Sequence, residues 1–230
     1  MTLPPLSNRL SSALPYVREG CFFADVGTDH AYLPIYLYQT SKIRGAVASD
    51  IGEGPLAIAK ANIKSFGLED KIKTCLSDGL LKLFPYVPED IAVFGMGGEL
   101  IASILSAVPW TKNAHLRFIL QPMTKAETLR AYLLREGFQI LDETLTKDEG
   151  RIYQTICAEY DGTPRTLSPL SLLVGEINLR RGGALLLELV ARHQKTFAEI
   201  QAAKKNAGVC DTYETEILDE IQRYLKESTL

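Results

Sequence analysis

Short apolar runs alternate with segments of helical periodicity along the first 136 residues. The apolar runs predict strands over residues 21–26, 45–49, 72–76, 91–94 and 115–120. Between them, helical spacing predicts helices over residues 32–39, 55–66, 99–107 and 125–136, with a short helix near Leu80. An amphipathic N-terminal helix is predicted from the spacing of Leu6, Leu10, Leu14 and Val17. Because strands separated by helices pair in parallel, the pattern predicts a doubly wound α/β sheet.

The alternation changes beyond residue 136. Residues 138–146 and 151–160 are two extended runs joined by the polar loop 147–150, whose Gly150 suits a left-handed backbone conformation. This pattern predicts an antiparallel hairpin at the end of the sheet. Such an ending resembles class I methyltransferases, whereas NAD-binding halves keep a parallel sixth strand.

The last third of the chain has a different organisation. Residues 161–164 and Pro169 are interpreted as a linker, which gives domains at residues 1–163 and 164–230. Two apolar stripes then follow at helical spacing, Leu186, Leu189, Val190, His193, Phe197 and Ile200 in one, and Ile217, Leu218, Ile221, Tyr224 and Leu225 in the other. A break at Ala207-Gly208, with Asp211 or Thr212 as a possible N-cap, predicts an antiparallel, coiled-coil-like helical hairpin.

Charge and composition narrow the function classes. The chain has 230 residues and a net charge of −3, so nucleic acid would have to be contacted by local clusters of Arg and Lys. The region after residue 163 holds nine basic and nine acidic residues, which leaves open both a packing or dimerisation element and a platform for a large substrate. The protein is expected to be a monomer, with a dimer through these helices as the alternative.

The cysteines and the N-terminus point to a reduced compartment. Cys21, Cys75, Cys157 and Cys210 lie far apart with no C-x-x-C pair, which argues against a zinc site and a disulfide framework. No apolar run has membrane-spanning length, and the N-terminus does not resemble a signal peptide. A cytoplasmic protein without a metal or a membrane partner is therefore expected.

The segment from Ala24 to Pro34 is the most informative part of the sequence. Asp25 lies at the end of a strand-like run, and Gly27 permits a tight turn at positive φ before a helix that begins near Tyr32. A dinucleotide fingerprint would place a glycine where Asp29 stands, and that carboxylate would repel a pyrophosphate. The segment therefore disfavours NAD and FAD and favours a smaller nucleoside ligand with a reactive centre.

Acidic residues recur at the ends of the first three predicted strands. Asp25 is followed by Asp50, and Ile51 lies beside Asp50. In doubly wound nucleotide-binding proteins, a carboxylate at the position of Asp50 binds ribose hydroxyls. Asp78 can accept a hydrogen bond from an adenine amino group, and Gly79 would clear space for the ring. Each acid alone could merely cap the next helix. Three in register favour a ligand site.

The fourth predicted strand ends in the glycine-rich run Gly95-Met96-Gly97-Gly98. Amino methyltransferases often have Asn or Asp followed by Pro-Pro at this point. Bare backbone would instead leave room for a flat group beside a sulfonium. The alternative interpretation is a flexible loop before the next helix.

Four motifs together resemble the bacterial tRNA adenine-22 N1-methyltransferases: Leu6-Ser7-x-Arg9-Leu10, Asp25-Val-Gly27-Thr-Asp29-His30-Ala31-Tyr32-Leu33-Pro34, Gly95-Met-Gly-Gly98 and Leu120-Gln121-Pro122. The resemblance covers nearly the whole chain. It implies a class I S-adenosylmethionine (SAM) fold and methylation of an adenine in the D arm of tRNA. The family often has Asn after Gln-Pro, whereas Met123 in that place carries no amide.

Candidate site residues follow from these motifs. Asp29 and His30 are the candidate catalytic residues. The candidate cofactor-binding residues are Asp25, Gly27, His30, Asp50, Ile51, Asp78, Gly79, Gly95, Met96 and Gly97. The candidate substrate-binding residues are Arg9, Gln121, Pro122, Arg180 and Arg181, and the possible tRNA phosphate partners are Arg9, Arg18, Lys60, Lys64, Arg180, Arg181, Arg192 and Lys195.

The expected chemistry gives these residues their roles. Adenine N1 has a free lone pair at neutral pH, so alignment should contribute more than general-base assistance. The product is a cation, and a carboxylate from Asp29 would stabilise the developing charge, with His30 holding SAM or the base. Asp29 as a helix cap is the competing interpretation. A small-molecule methyltransferase and a non-catalytic adaptor remain alternative functions.

Overall fold

The computed structural model describes residues 3–207 and 212–227. The chain divides into two compact units, the first ending at Arg165 and the second beginning at Thr166.

A seven-stranded sheet forms the centre of the first unit. Its strands are β1 Cys21–Val26, β2 Ile43–Asp50, β3 Ile72–Leu76, β4 Asp90–Met96, β5 Arg117–Pro122, β6 Phe138–Asp148 and β7 Arg151–Tyr160. The order is β3-β2-β1-β4-β5-β7-β6. Strands β1 to β5 pair in parallel, and β7 is antiparallel to both β5 and β6. The predicted doubly wound sheet with a terminal antiparallel hairpin is therefore confirmed.

Five helices accompany the sheet: α1 Asn8–Ser11, α2 Tyr32–Gln39, α3 Glu53–Ser65, α4 Gly98–Ser106 and α5 Ala126–Arg135. The amphipathic N-terminal helix is much shorter than its apolar spacing suggested. Ser7 caps α1 by accepting from Leu10 N, and turns replace the helix after Ser11. Pro15 cannot donate a helical hydrogen bond, which opposes a longer helix. The helix predicted near Leu80 is also wrong: this segment is a turn, and a single 3₁₀ turn follows at Phe84–Tyr86.

The two faces of the sheet carry separate hydrophobic cores. Ala24 and Val26 of β1 point to one core, together with residues of α4 and α5. Phe23 of the same strand points to the other, which includes residues of α2 and α3. Alternation along β1 thus buries both faces, as expected for a doubly wound sheet, and leaves the strand ends as the accessible edge.

A tight turn and a buried ion pair fix the terminal hairpin. Glu149 and Gly150 adopt φ values of 45° and 77°, so the predicted left-handed glycine is present and a second left-handed residue precedes it. Arg130 of α5 is fully buried and donates from Nε to Glu143 Oε1 at 2.6 Å, and from Nη2 to Gln154 Oε1 at 2.8 Å. This pairing connects α5 to both strands of the hairpin.

The second unit contains helices α6 Pro169–Val174, α7 Glu176–Arg181, α8 Ala184–Asn206 and α9 Tyr213–Glu227. Pro169 begins α6 rather than extending a linker, because Ser168 caps this helix by accepting from Ser171 N. The end of α8 contacts the start of α9: Lys204 Nζ lies 2.6 Å from Glu214 Oε1. The predicted helical hairpin is present, whereas Gly208 and Asp211 lie outside the described residues.

The cysteines show no sign of cross-linking in the described chain. Cys21, Cys75 and Cys157 carry free thiols, and Cys210 lies outside the described residues. Burial raises the pKa of Cys21 and of Cys157 to about 12. Within residues 3–207 and 212–227, no cluster of three His, Cys, Asp or Glu side chains is suited to a metal ion, and no helix has the length and apolar character to cross a membrane.

Candidate active site

The strand register gathers the predicted acids at one edge of the sheet. Val26 pairs with Ser49, and Asp50 pairs with Leu76. Strands β1, β2 and β3 therefore end at nearly the same level. Asp25, Asp50 and Asp78 consequently lie at the carboxyl edge, where parallel α/β sheets bind ligands.

The loop after β1 is held in a fixed conformation. Gly27 has φ 79°, and the amides of Gly27 and Thr28 both donate to Ser49 O at 2.9 Å. A Cβ on Gly27 would lie 2.4 Å from Met96 Cε, so the loop closely approaches the end of β4. Helix α2 follows Ala31, which has φ 55° and provides no side-chain cap. Asp29 is therefore not the cap of this helix.

Asp25 is the buried acid of the loop. Its residue is 8% exposed, and Thr28 Oγ1 donates to its Oδ2 at 2.6 Å. Its second oxygen, Oδ1, has no hydrogen-bond partner among residues 3–207 and 212–227. Burial raises the pKa of Asp25 to about 6, while the Thr28 hydrogen bond and the charge of Arg9 oppose this rise. Asp25 is thus a carboxylate with unused bonding capacity.

Asp29 and His30 form the exposed part of the same loop. Their side chains are 71% and 43% exposed, and His30 Nε2 lies 3.2 Å from Asp29 Oδ2. The His30 ring stacks on Tyr32 with 5.1 Å between centroids. Asn62 Nδ2 donates to the His30 carbonyl at 3.0 Å. The loop backbone is thus held by a side chain of α3, while the side chains of Asp29 and His30 remain open to solvent.

The acids after β2 and β3 are less enclosed. Asp50 Oδ1 accepts from Gly52 N at 2.7 Å, so one of its oxygens stabilises the turn into α3. Asp78 and Ile51 are exposed. Gly79 has φ 50°, and a Cβ there would lie 2.9 Å from the Ile104 side chain. Packing and backbone conformation, rather than open space for a ring, explain this glycine.

The glycine-rich loop after β4 is anchored. Gly98 N donates to Thr124 O and Met123 N donates to Met96 O, both at 2.8 Å. A Cβ on Gly98 would lie 2.1 Å from Lys125 O, so only glycine fits this approach of two loops. Gly95 has φ 79°. The interpretation of this run as merely a flexible loop is wrong.

Gln121 and Pro122 are buried rather than presented to a substrate. Gln121 Nε2 donates to Arg9 O, Ser12 Oγ and Thr155 Oγ1 at 3.0–3.2 Å, and Gln121 Oε1 accepts from Arg9 Nη1 at 3.3 Å. Both amide atoms are thus used inside the protein. The sequence did not indicate this network, because Arg9 and Ser12 lie more than a hundred positions before Gln121, and Thr155 lies 34 positions after it.

A cavity of about 120 Å³ lies between α1, the loop after β1 and the end of β4. Its lining residues are Arg9, Leu10, Asp25, Gly27, Thr28, Asp29, His30, Ala31, Tyr32, Leu33 and Phe94. Arg9 is half-buried here, and its Nη1 lies 3.8 Å from the place of a Cβ on Gly95. The fold therefore brings together residues from three of the four sequence motifs.

The other possible tRNA phosphate partners do not line this cavity. Arg18 lies at the amino ends of the parallel strands, where its Nε donates to Oδ1 of Asp90, the first residue of β4, at 2.6 Å. It is therefore not part of the site at the carboxyl edge. Lys60 and Lys64 are exposed on α3. Arg180 and Arg181 end α7, and Arg192 and Lys195 lie on α8, all in the second unit.

Comparisons with known proteins agree with this geometry. A family model described as a methyltransferase domain matches residues 6–156. The tRNA (adenine(22)-N(1))-methyltransferase of Bacillus subtilis is 35% identical over 170 residues, which cover 74% of this chain and 71% of that relative. The chain belongs to this family.

Solved structures support the assignment to the tRNA (adenine(22)-N(1))-methyltransferase family. The crystal structure of the Bacillus subtilis m1A22 tRNA methyltransferase TrmK has a TM-score of 0.83 and 32% identity, and covers 98% of this chain and 99% of that one. Sp1610 of Streptococcus pneumoniae, in complex with S-adenosyl-L-methionine, has a TM-score of 0.81 and 30% identity. That match covers 96% of this chain and 100% of Sp1610.

Proposed function

We propose that this protein transfers the methyl group of SAM to N1 of adenine 22 in the D arm of tRNA. The observation that carries the proposal is the carboxyl edge of the sheet. There the buried Asp25, the open Asp29–His30 pair and the anchored glycine run meet in a chain that belongs to the m1A22 methyltransferase family.

The residues at this edge fit SAM. Asp50 keeps one carboxylate oxygen without a partner in the described chain, which suits a ribose hydroxyl. Asp78 is exposed and can accept from an adenine amino group. Gly95 in β4 and Gly97, which precedes α4, present backbone without side chains at the end of the neighbouring strand of β1. SAM would supply a methyl group activated on its sulfonium, and no pyrophosphate site is required.

The chain's own residues would act mainly by alignment. Neutral adenine N1 needs no deprotonation, and proximity and orientation can lower a barrier by about 7–11 kcal/mol. The methylated base is a cation, so the Asp29 carboxylate would stabilise the charge that develops in the transition state. Its 71% exposed side chain leaves it free to meet a base, and His30 orients it through the 3.2 Å contact.

Access to adenine N1 requires an unpaired or extruded base, because this atom lies inside a Watson–Crick pair. Phosphate contacts would come from exposed cations such as Lys60, Lys64, Arg180 and Lys195 rather than from the overall charge of −3. Binding should therefore depend strongly on salt.

The direct test is to incubate the protein with labelled SAM and an unmodified tRNA transcript, and then to map the modified nucleotide. We expect one labelled adenine, at position 22, methylated at N1. A transcript with guanine at position 22 is the matched control and should remain unlabelled. Label on another nucleotide, or transfer to small molecules but not to tRNA, would contradict the proposal.

A further inference from the structure

We infer that Asn62 of α3 positions the Asp29–His30 pair for methyl transfer, through its hydrogen bond to the His30 carbonyl. Asn62 acts through the backbone of the loop after β1 and not by touching the methyl donor or the target adenine. The inference rests on the proposed function, because it takes Asp29 to face the adenine that is methylated. It adds a residue that none of the four sequence motifs contains.

The loop after β1 is held at two points. At its start, the amides of Gly27 and Thr28 donate to Ser49 O at 2.9 Å, so the neighbouring strand fixes this end. Further along, Asn62 Nδ2 donates to the His30 carbonyl at 3.0 Å. In the described part of the chain, no other side chain from outside the loop forms a hydrogen bond with the residues between Thr28 and α2. The exposed half of the loop is therefore tied to α3 at a single point.

The backbone conformation next to this hydrogen bond explains why the loop needs it. Ala31 has φ 55° and ψ 22°, in the left-handed region, which is unfavourable for a residue that carries a Cβ. Such a conformation persists only where the surrounding structure holds it. The His30 carbonyl belongs to the peptide bond between His30 and Ala31, and φ of Ala31 measures the orientation of that peptide bond. The Asn62 hydrogen bond thus holds the group on which the left-handed conformation depends.

Helix α3 is a firm support for this hydrogen bond. Its Ala59 and Ile63 are buried in the same hydrophobic core as Ala31. Asn62 precedes Ile63 directly and is half-buried. A carbonyl oxygen can only accept, so the partner must be a donor, and an ionised aspartate of the same shape could not take the place of this asparagine.

The position of the Asp29 carboxylate depends on this backbone. Its side chain is 71% exposed, so packing does not fix its place. A charge stabilises a transition state best when it is already aligned and does not have to reorganise. A displacement of about 1 Å can reduce a rate about 100-fold. Because the loop backbone sets where the carboxylate lies, a residue that fixes the backbone contributes to the rate of methyl transfer.

Single-turnover methylation of unmodified tRNA with saturating SAM tests the inference. Asn62→Asp keeps the shape and replaces the donor by an acceptor, and Asn62→Ala removes the amide without adding charge. We expect each to lower the rate about 10-fold, as the loss of one hydrogen bond would reduce the population of the aligned loop. Affinity for S-adenosylhomocysteine, measured by calorimetry, should change little, because Ser49 holds the start of the loop independently of Asn62.

Asn113→Asp is the matched control. Asn113 Oδ1 accepts from His115 N at 3.0 Å, before the amino end of β5. The same substitution therefore adds the same charge outside the site and keeps the hydrogen bond. The methylation rate of this variant should equal that of the unaltered protein.

A double-mutant cycle separates positioning from a purely structural role. In a protein that carries Asp29→Ala and His30→Ala, Asn62→Ala should cause no further loss of rate, because the pair that it positions is absent. An equal fractional loss in both backgrounds, or a loss with Asn62→Asp but not with Asn62→Ala, would overturn the inference and leave the proposed function standing. Failure of the unaltered protein to methylate tRNA would overturn the proposed function itself.

Discussion

The loop after β1 presents two acids in opposite environments. Asp25 is 8% exposed and accepts a hydrogen bond from Thr28, whereas the Asp29 side chain is 71% exposed and lies 3.2 Å from His30. The buried acid is desolvated before any ligand binds, so the folded chain itself bears that cost. The exposed acid remains hydrated until a substrate covers it. One short loop thus presents a desolvated acid and a hydrated acid four positions apart.

The largest effect is expected from removing the exposed acid. Asp29→Ala should lower the single-turnover methylation rate about 100- to 1000-fold, because a preorganised charge that faces the developing cation is lost. Affinity for S-adenosylhomocysteine, measured by calorimetry, should change little. Asp70→Ala removes another exposed acid, outside the site, and serves as the control. A normal rate in a folded Asp29→Ala protein would exclude Asp29 from the mechanism.

The raised pKa of Asp25 should make the free energy of unfolding depend on pH. The folded chain raises the Asp25 pKa from 3.8 to about 6, so it holds this proton more tightly than the unfolded chain. The free energy of unfolding should therefore fall as the pH rises from about 4 to about 6, by up to about 3 kcal/mol.

Asp25→Asn should remove this fall and make the ligand-free protein more stable at pH 7, while weakening S-adenosylhomocysteine binding. Urea unfolding at pH 4, 5, 6 and 7 measures both curves. Parallel curves for the two proteins would show that Asp25 does not titrate in this range.

A smaller effect on stability is expected from a substitution in the glycine-rich run after β4. Gly98→Ala would place a Cβ 2.1 Å from Lys125 O and should lower the free energy of unfolding by about 1–3 kcal/mol, as overpacking does. Gly54→Ala on α3 meets no atom within 4 Å and should slightly stabilise the protein. Equal stability of the two variants would contradict the close approach of the loops.

The smallest effect concerns the cations of the second unit. Replacing Arg180 by Ala should reduce the slope of log affinity for tRNA against log salt by about 1 if it contacts one phosphate. S-adenosylhomocysteine binding should remain unchanged. Arg135→Ala on α5 is a control of the same charge change. An unaltered slope for Arg180→Ala would exclude this contact.

Local sequence signals were enough for most of the sheet. The bounds of β1, β3 and β7 agree with those predicted, because apolar runs there end at glycine, aspartate or polar turns. The prediction of helix bounds failed at two prolines, because proline can either prevent a helix from continuing or occupy its first turn. Pro15 follows α1 by four residues and opposes its extension although the apolar spacing continues, whereas Pro169 begins α6.

The arrangement of the candidate site could be predicted only in part, because some of its residues lie next to strands in the sequence and others meet through distant contacts. The acids at strand ends are visible because each follows a strand directly, and the register then places them together. The hydrogen bond between Arg9 and Gln121 could not be predicted, because the two residues are 112 positions apart in the sequence. Ala31, and not Asp29, is the N-cap of α2, and its φ of 55° also has no local signal in an alanine.

The contacts of Arg9 also bear on the order of folding. They close chain segments of 112 residues to Gln121 and 139 residues to Asp148, so they form only when β5 and the β6–β7 turn are already in place. Contacts so distant in sequence are slow to form. We therefore expect ligand-binding competence to be among the last properties gained during refolding, after most secondary structure has returned.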